Sequence, residues 1–338
     1  MLIVEAILLV AGFFALVKGA DWFVDGSAGL ARSFRVPGLI IGLTVVAMGT
    51  SAPELAVSTA AALQGSNEIA LSNVIGSNIF NLLAVLGLCA VFCPVPVDRA
   101  VLKRDFPISI AATLFVLAAA KLAAPVSGTA FVFAGPGLLN EKVSGSGMDA
   151  VAGELNLLAG AVLIGAFLIY MGYLIFDARR RPQEEEGVDA LPIWKCGLLI
   201  AVGLALIVGG GQAVVQGAKE IARATGMTET LIGLTIVAVG TSLPELVTSL
   251  VATKKGEVGL AIGNALGSNI FNLMFILGIS VLIRPISVNL ASVYDLTILT
   301  AISALTFVFA LTSERISRRE GAVMVVLYLA DVVFAIMR

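Results

Sequence analysis

Shifted by 191 positions, residues 42–87 superpose on residues 233–278 without a gap, and about 25 of the 46 paired residues are identical. A segment duplicated at this length must fill two equivalent environments, which removes most folds from consideration. Each copy contains the same odd fragment, GTSAPEL at 49–55 and GTSLPEL at 240–246. Both fragments sit inside long apolar stretches, where a lipid-facing helix should hold neither proline nor glutamate. Proline removes a backbone donor and crowds the carbonyl four residues back. A charged side chain at the bilayer centre costs about 2.5–3.5 kcal/mol on insertion scales.

The surrounding sequence makes the membrane setting plain. Hydrophobic residues are 59% of the 338 and charged residues 13%, whereas soluble domains carry about 25% charged residues. The mean hydropathy is +1.02. A transmembrane helix needs about 20 mostly apolar residues. Ten stretches qualify, near 2–25, 37–62, 68–92, 105–123, 153–176, 193–220, 229–253, 258–283, 293–312 and 320–337. The expectation is an all-α integral membrane protein of ten transmembrane helices. The opening MLIVEAILLV lacks the basic region of a cleaved signal and reads as a permanent first span. With the amino terminus outside, most Lys and Arg of the connecting loops fall inside, among them Arg32, Arg35, Lys103, Arg104, Arg180, Lys254, Lys255 and Arg318. The positive-inside rule then places both termini outside.

Ten spans divide into two five-helix halves, 1–176 and 193–338, joined by the charged inner linker 177–192. An odd number of spans per half means that the second copy enters the membrane from the opposite side. Inverted repeats with interrupted helices at matched positions are the signature of secondary transporters. The stretch 124–152, rich in Gly, Ser and Pro, reads as an outer loop or a small lid. The chain has no histidine and three cysteines, Cys89, Cys93 and Cys196, which read as small core residues. No cofactor is expected, and a net charge of −2 without a basic tail gives no sign of a nucleic-acid partner. No nucleophile–base pair occurs at suitable spacing, so an enzyme is not expected.

In VVAMGTSAPELAVS, Gly49 and Pro53 disrupt the helix and are expected to free the carbonyls of residues 47–49. Freed backbone at membrane depth is tolerated only against protein or a wet cavity. Helical spacing puts Ala47, Thr50, Ser51, Glu54 and Ser58 on one face, and Ala238, Thr241, Ser242, Glu245 and Ser249 in the copy. The following span carries Asn73, Ser77 and Asn81, repeated as Asn264, Ser268 and Asn272. Of these, Asn81 and Asn272 are the better ligand candidates, while Asn73 and Asn264 also suit interhelical bonding, and Gly76 and Gly267 suit close helix approach. Two carboxylates among neutral oxygens fit a hard cation such as calcium or sodium. The acids Glu5, Asp21, Glu154, Asp295 and Asp331 fall near span ends and read as interfacial anchors, and Lys18 and Lys219 as snorkelling.

These two segments, GLTVVAMGTSAPELAVS…SNVIGSNIFNLLAVLG and GLTIVAVGTSLPELVTS…GNALGSNIFNLMFILG, resemble the α-repeats of the cation/calcium exchanger superfamily, and within it the prokaryotic sodium/calcium exchangers. The resemblance implies a membrane antiporter of the prokaryotic plasma membrane that exports calcium against sodium by alternating access, working as a monomer. It implies Glu54 and Glu245 as central calcium ligands shared with sodium, with Thr50 and Thr241 adding carbonyl and hydroxyl oxygens. Ala47, Ser51 and Ser77, with Ala238, Ser242 and Ser268, would form flanking sodium sites, and Asn81 and Asn272 would complete the centre. Well-known members of the family carry Asp where this chain has Asn272. The long first and sixth spans resemble the pair that slides across the rest. A proton/calcium antiporter of the same fold is the alternative, with the glutamates taking protons. A cation channel is disfavoured by the inverted repeat.

Overall fold

The strain that proline imposes is visible in the backbone. Helices Gly38–Thr50 and Ala52–Gln64 meet at a 49° bend, and Ser51 between them has left the helical region, with φ −82° and ψ 10°. Its counterpart Ser242 does the same, with φ −93° and ψ 6°. The computed structural model describes residues 2–122, 151–180, 191–227, 236 and 238–337.

The chain runs through α1 (Leu2–Phe34), α2 (Gly38–Thr50), α3 (Ala52–Gln64), α4 (Glu68–Phe92), strand β1 (Val95–Pro96), α5 (Phe106–Leu122), β2 (Val151–Leu155) and α6 (Leu157–Arg180). It continues with α7 (Ile193–Ala224), α8 (Ala238–Thr241), α9 (Leu243–Lys254), α10 (Val258–Ile283), β3 (Ile286–Asn289), α11 (Leu290–Ser313), β4 (Arg315–Ile316) and α12 (Arg318–Met337). Among the described residues, 7 helices are long and apolar enough to cross a membrane, or 8 with the bent α2–α3 pair. The protein is therefore a multi-pass helical membrane protein. Two of the ten predicted spans are not in that count. The stretch 105–123 is helical as α5 but only 17 residues long. The stretch 229–253 is represented by α8 and α9, with most of its beginning outside the described residues. Most of the 124–152 loop and the middle of the 177–192 linker lie outside them as well.

Two short antiparallel ribbons fasten the helix ends. Val95 pairs with Ile316, joining the exit of α4 to the approach of α12. Leu155 pairs with Ile286, joining the starts of α6 and α11. The apolar interior has two parts. The larger packs α4, α5, α6, α10 and α11 around residues such as Leu71, Phe106, Leu163, Leu266 and Leu296. The smaller gathers Ala20, Phe23 and Val24 of α1 and Ile207 of α7 against Ile41, Val46 and Ala252.

Glycine at every seventh position shapes the seam between α1 and α7, which run antiparallel. Gly12, Gly19 and Gly26 on α1 face the series Gly203, Gly210 and Gly217 and its neighbours on α7. A Cβ at Gly19 or at Gly203 would stand 2.7 Å from the carbonyl oxygen of the other, so the two backbones touch directly. Gly203→Val should therefore lower the thermal unfolding midpoint in detergent, by a stability loss of about 1–3 kcal/mol or more as for an overpacked core. An unchanged midpoint would show that the seam is looser than described. Charged contacts tie the far half of α1 to the turn between α9 and α10. Lys255 reaches Asp21 and Asp25 at 2.6 Å each, and Arg32 reaches Glu257 at 2.6 Å. Asp21 is thus an ion-pair partner, bonded also to Lys18 at 3.8 Å, where the sequence placed an interfacial anchor. Of the cysteines, Cys89 and Cys196 are buried, but Cys93 is exposed just past the end of α4 and is not a core residue.

Candidate ion-binding site

Ser51 and Ser242 are the N-cap residues of α3 and α9, and Glu54 and Glu245 lie in the first turns of those helices. Ser-x-x-Glu at a helix start normally closes on itself as a capping box. Here neither serine caps its own helix. The pairs cross instead: Ser51 Oγ donates to Glu245 Oε1 at 2.7 Å, and Ser242 Oγ donates to Glu54 Oε1 at 3.0 Å. Both glutamates are wholly buried, and the second oxygen of each, Oε2, has no hydrogen-bond partner among the described residues. Their place in the first turn sets both carboxylates at the positive ends of two helix dipoles.

The second ring of polar groups comes from α4 and α10. Each helix widens to a π turn where its asparagine lies, over Asn81–Val85 and over Phe271–Ile276. Such bulges are frequent at functional sites because they re-aim one side chain and loosen a carbonyl. Asn81 is buried, and both its amide atoms are unpartnered among the described residues. Asn272 donates through Nδ2 to Asn78 Oδ1 at 3.2 Å and keeps its own Oδ1 unpartnered. Buried oxygens are seldom left without a donor, so this concentration of them is itself informative.

The remaining predicted residues divide. Ser268 Oγ lies 3.5 Å from the carbonyl of Ala47. The hydroxyls of Ser77 and Thr241 make no close hydrogen bond among the described residues. Thr50 Oγ1 is 2.9 Å from Asn264 Oδ1 and 3.1 Å from the carbonyl of Val46. Ala238 opens α8, and its side chain lies outside the described residues. The expected release of the Ala47 carbonyl is not found. It accepts the Ser51 N–H at 3.1 Å, because the π turn over Gly42–Val46 returns to α geometry at Ala47–Thr50 and the helix breaks only at Ser51.

Asn73 and Asn264 bond helix to helix. Asn73 Nδ2 reaches Ser58 Oγ at 2.9 Å and the Glu54 carbonyl at 3.4 Å. Asn264 Nδ2 reaches Ser249 Oγ at 2.9 Å and the Glu245 carbonyl at 3.2 Å. They hold the glutamate-bearing turns in place. Sequence reasoning passed over a second pair. Asn78 Nδ2 donates to the Asn269 carbonyl at 3.3 Å, and Asn269 Nδ2 returns the bond to the Asn78 carbonyl at 3.2 Å. The signal was present in SNIFN, identical at 77–81 and 268–272, but these asparagines lie off the four-residue stripe. The paired glycines also differ. A Cβ at Gly267 would stand 2.7 Å from Leu43 Cα, whereas a Cβ at Gly76 would meet nothing within 4 Å among the described residues.

Known proteins share this architecture. The sodium/calcium exchanger protein family model matches residues 4–176 and again 196–337. The chain belongs to that family. The sodium/calcium exchanger MaX1 of Methanosarcina acetivorans is 33% identical over 98% of this chain and 99% of its own. The inner membrane protein YrbG of Escherichia coli (strain K12) is 34% identical over 95% of this chain and 92% of its own. Among solved structures, the sodium-calcium exchanger NCX_Mj, soaked with 10 mM Na+ and zero Ca2+, superposes with a TM-score of 0.80 at 30% identity, covering 98% of this chain and 99% of that one.

Within this exchanger, the donor set defines what the centre can hold. Among the described residues no three His, Cys, Asp or Glu side chains cluster as metal ligands. Two carboxylates, amide oxygens, hydroxyls and main-chain carbonyls remain. Hard cations take such oxygens in sixes to eights, whereas zinc and copper select imidazole and thiolate.

Proposed function

We propose that this exchanger moves calcium out of the cell in exchange for sodium moving in, by alternating access around Glu54 and Glu245. The observation that carries the reading is the crossed pairing. Each half of the chain holds one oxygen of the other half's buried glutamate, which leaves the second oxygen of both without a hydrogen-bond partner among the described residues. A cation of charge +2 balances two carboxylates, and sodium ions compete for the same oxygens, so one species must leave before the other binds. Thr50 and Thr241 contribute oxygens beside the glutamates. Asn81 and Asn272 close the centre, and Ala47, Ser51, Ser77, Ala238, Ser242 and Ser268 line flanking sodium positions. The bare centre carries two uncompensated charges, and moving it across a low-dielectric barrier is unfavourable. Only the loaded protein switches readily, which couples the two fluxes.

The α1–α7 pair serves as the moving body in this scheme. Its glycine seam makes the pair one unit, and a small apolar core forms the surface on which it meets α2, α9 and α10. Ten spans in two inverted halves, 1–176 and 193–338, with both termini outside the plasma membrane, complete the proposal. The match of one family model to each half supports the duplication. The ribbon Val95–Ile316 falls at an inner end and the ribbon Leu155–Ile286 at an outer end in that arrangement. Single cysteines at Ser313 and Glu154, both exposed, in a background without Cys89, Cys93 and Cys196 should label from opposite sides. Labelling of both by one impermeant reagent would overturn the topology.

Calcium uptake into vesicles driven by an imposed sodium gradient tests the function. Uptake is expected with the sodium gradient and not with a pH gradient. Uptake driven by protons alone would make the two glutamates proton carriers. Calcium leak without either gradient would make the protein a channel.

A further inference from the structure

In an exchanger built from two inverted copies, the state shut at one end is the image of the state shut at the other, with the halves exchanged. Identical halves would hold both states at equal free energy, so residues that differ between matched positions set the balance. At one end of α1 the difference is one of charge. Lys255 Nζ, in the turn between α9 and α10, lies 2.6 Å from both Asp21 Oδ1 and Asp25 Oδ1 and donates to the Asp21 carbonyl at 3.0 Å. Arg32 Nη2 meets Glu257 Oε1, from the same turn, at 2.6 Å. A shift of 191 positions carries Asp21 and Asp25 to Gln212 and Gln216, Lys255 to Gln64 and Glu257 to Ser66. Four charged partners at one end thus answer to four neutral residues at the other. Arg223, which matches Arg32, bonds along its own helix to Glu220.

Packing differs in the same sense. Val247 and Val251 of α9 are partly buried against the small core that contains Ala20, Phe23 and Val24 of α1. Their counterparts on α3, Ala56 and Ala60, are exposed. The end that carries the ion pairs is therefore drawn shut over α9, while the matching face of α3 is uncovered. Charge-assisted hydrogen bonds act only at short range, so sliding α1 and α7 past the rest by a few ångströms breaks them. The neutral residues at the other end offer the opposite state no equivalent ion pairs in return.

We propose that Asp21, Asp25, Arg32, Lys255 and Glu257 form an ionic latch that shuts the inner end and biases the exchanger toward its outward-open state. The proposal rests on the reading of alternating access with α1 and α7 as the moving body. Partly exposed ion pairs are individually weak, so the latch tilts the balance without freezing it, and the loaded protein still opens inward on each cycle.

Cysteine accessibility to an impermeant reagent, with calcium present, tests the latch in a background without Cys89, Cys93 and Cys196. Val247→Cys reports opening at the inner end, and its counterpart Ala56→Cys reports opening at the outer end. The variant Asp21→Gln/Asp25→Gln/Lys255→Gln installs the residues of the matched positions. It should speed labelling of position 247 from inside roughly fivefold and slow labelling of position 56 from outside. Unchanged rates at both positions overturn the proposal, and so does a rise at both, which marks a loosened protein. Should the triple variant fail to assemble, the two reporters in protein that keeps all the latch charges still decide. Raising the ionic strength with choline chloride screens the pairs and should move the two rates in the same opposite directions, and insensitivity to salt overturns the latch. Failure of the underlying reading looks different: wild-type protein would then show no sodium-driven calcium uptake, whereas a failed latch leaves that uptake intact.

Discussion

Glu54→Gln and Glu245→Gln are each expected to lower sodium-driven calcium uptake by roughly 100-fold or more, in protein that inserts and purifies normally. The crossed bonds explain why so small a change acts so strongly. Glutamine can keep its Oε1 on the partner serine, Ser242 for Glu54 and Ser51 for Glu245. Its Nε2 then stands where the unpartnered Oε2 stood and turns N–H groups toward the cation. One unit of charge at 4 Å contributes about 4 kcal/mol at an effective dielectric of 20, and twice that toward a divalent ion. The folding side of the ledger is mild, since the variant removes a buried charge and preserves the volume. Radiolabelled calcium uptake by proteoliposomes checks the loss, and size-exclusion behaviour in detergent checks the fold. Near wild-type uptake in either purified variant would remove the glutamates from the site.

The second large effect concerns charge balance. With Asn at both 81 and 272, Glu54 and Glu245 are the two acids at the centre. Calcium neutralises them, while three sodium ions would leave an excess of +1, unfavourable by about 4 kcal/mol at 4 Å and an effective dielectric of 20. The wild-type exchanger should therefore carry nearer two sodium ions than three per calcium. Asn272→Asp adds the missing negative charge and should tighten sodium binding and raise the ratio toward three. The neighbourhood imposes one adjustment. Asn272 Nδ2 donates to Asn78 Oδ1 at 3.2 Å, so an aspartate there faces an acceptor. Turning the Asn78 amide relieves the clash and forfeits its bond to the Asn269 carbonyl, 3.3 Å away. Reversal-potential measurements give the ratio directly. A ratio of three in both proteins would defeat the two-carboxylate account.

What could be read in the amino-acid sequence was whatever depends on local pattern and on repetition. The duplication, the broken helix at Pro53, the buried glutamates and the bounds of most helices all follow from spacing and composition. Three features did not follow, because each depends on which distant groups meet. Ser51 and Glu54 have the spacing of a self-contained cap, and nothing local tells that each turns to a partner 194 or 188 residues away. Asn78 and Asn269 face a helix crossing whose position only the packing of α4 on α10 fixes. Asp21 looks like an anchor near a span end until Lys255, from the turn after α9, is brought beside it at 2.6 Å. Gly76 and Gly267 occupy matched positions in the two copies, yet only Gly267 is pressed against a neighbouring backbone among the described residues. Repetition in sequence therefore guarantees equal chemistry, not equal surroundings.

The crossed serine–glutamate bonds have a consequence for how damage spreads. In the proposed centre neither half of the chain owns a complete binding position, because each carboxylate is oriented by a hydroxyl from the other half. The centre behaves as a conjunction: it exists when both contributors are in register and is lost when either is displaced. Substituting Ser51 misaims Glu245, a residue in the opposite repeat, and leaves the glutamate of its own helix still held by Ser242. Wounds in this protein are therefore felt in the opposite copy of the duplicated segment, and a lesion mapped to one copy reports on the other.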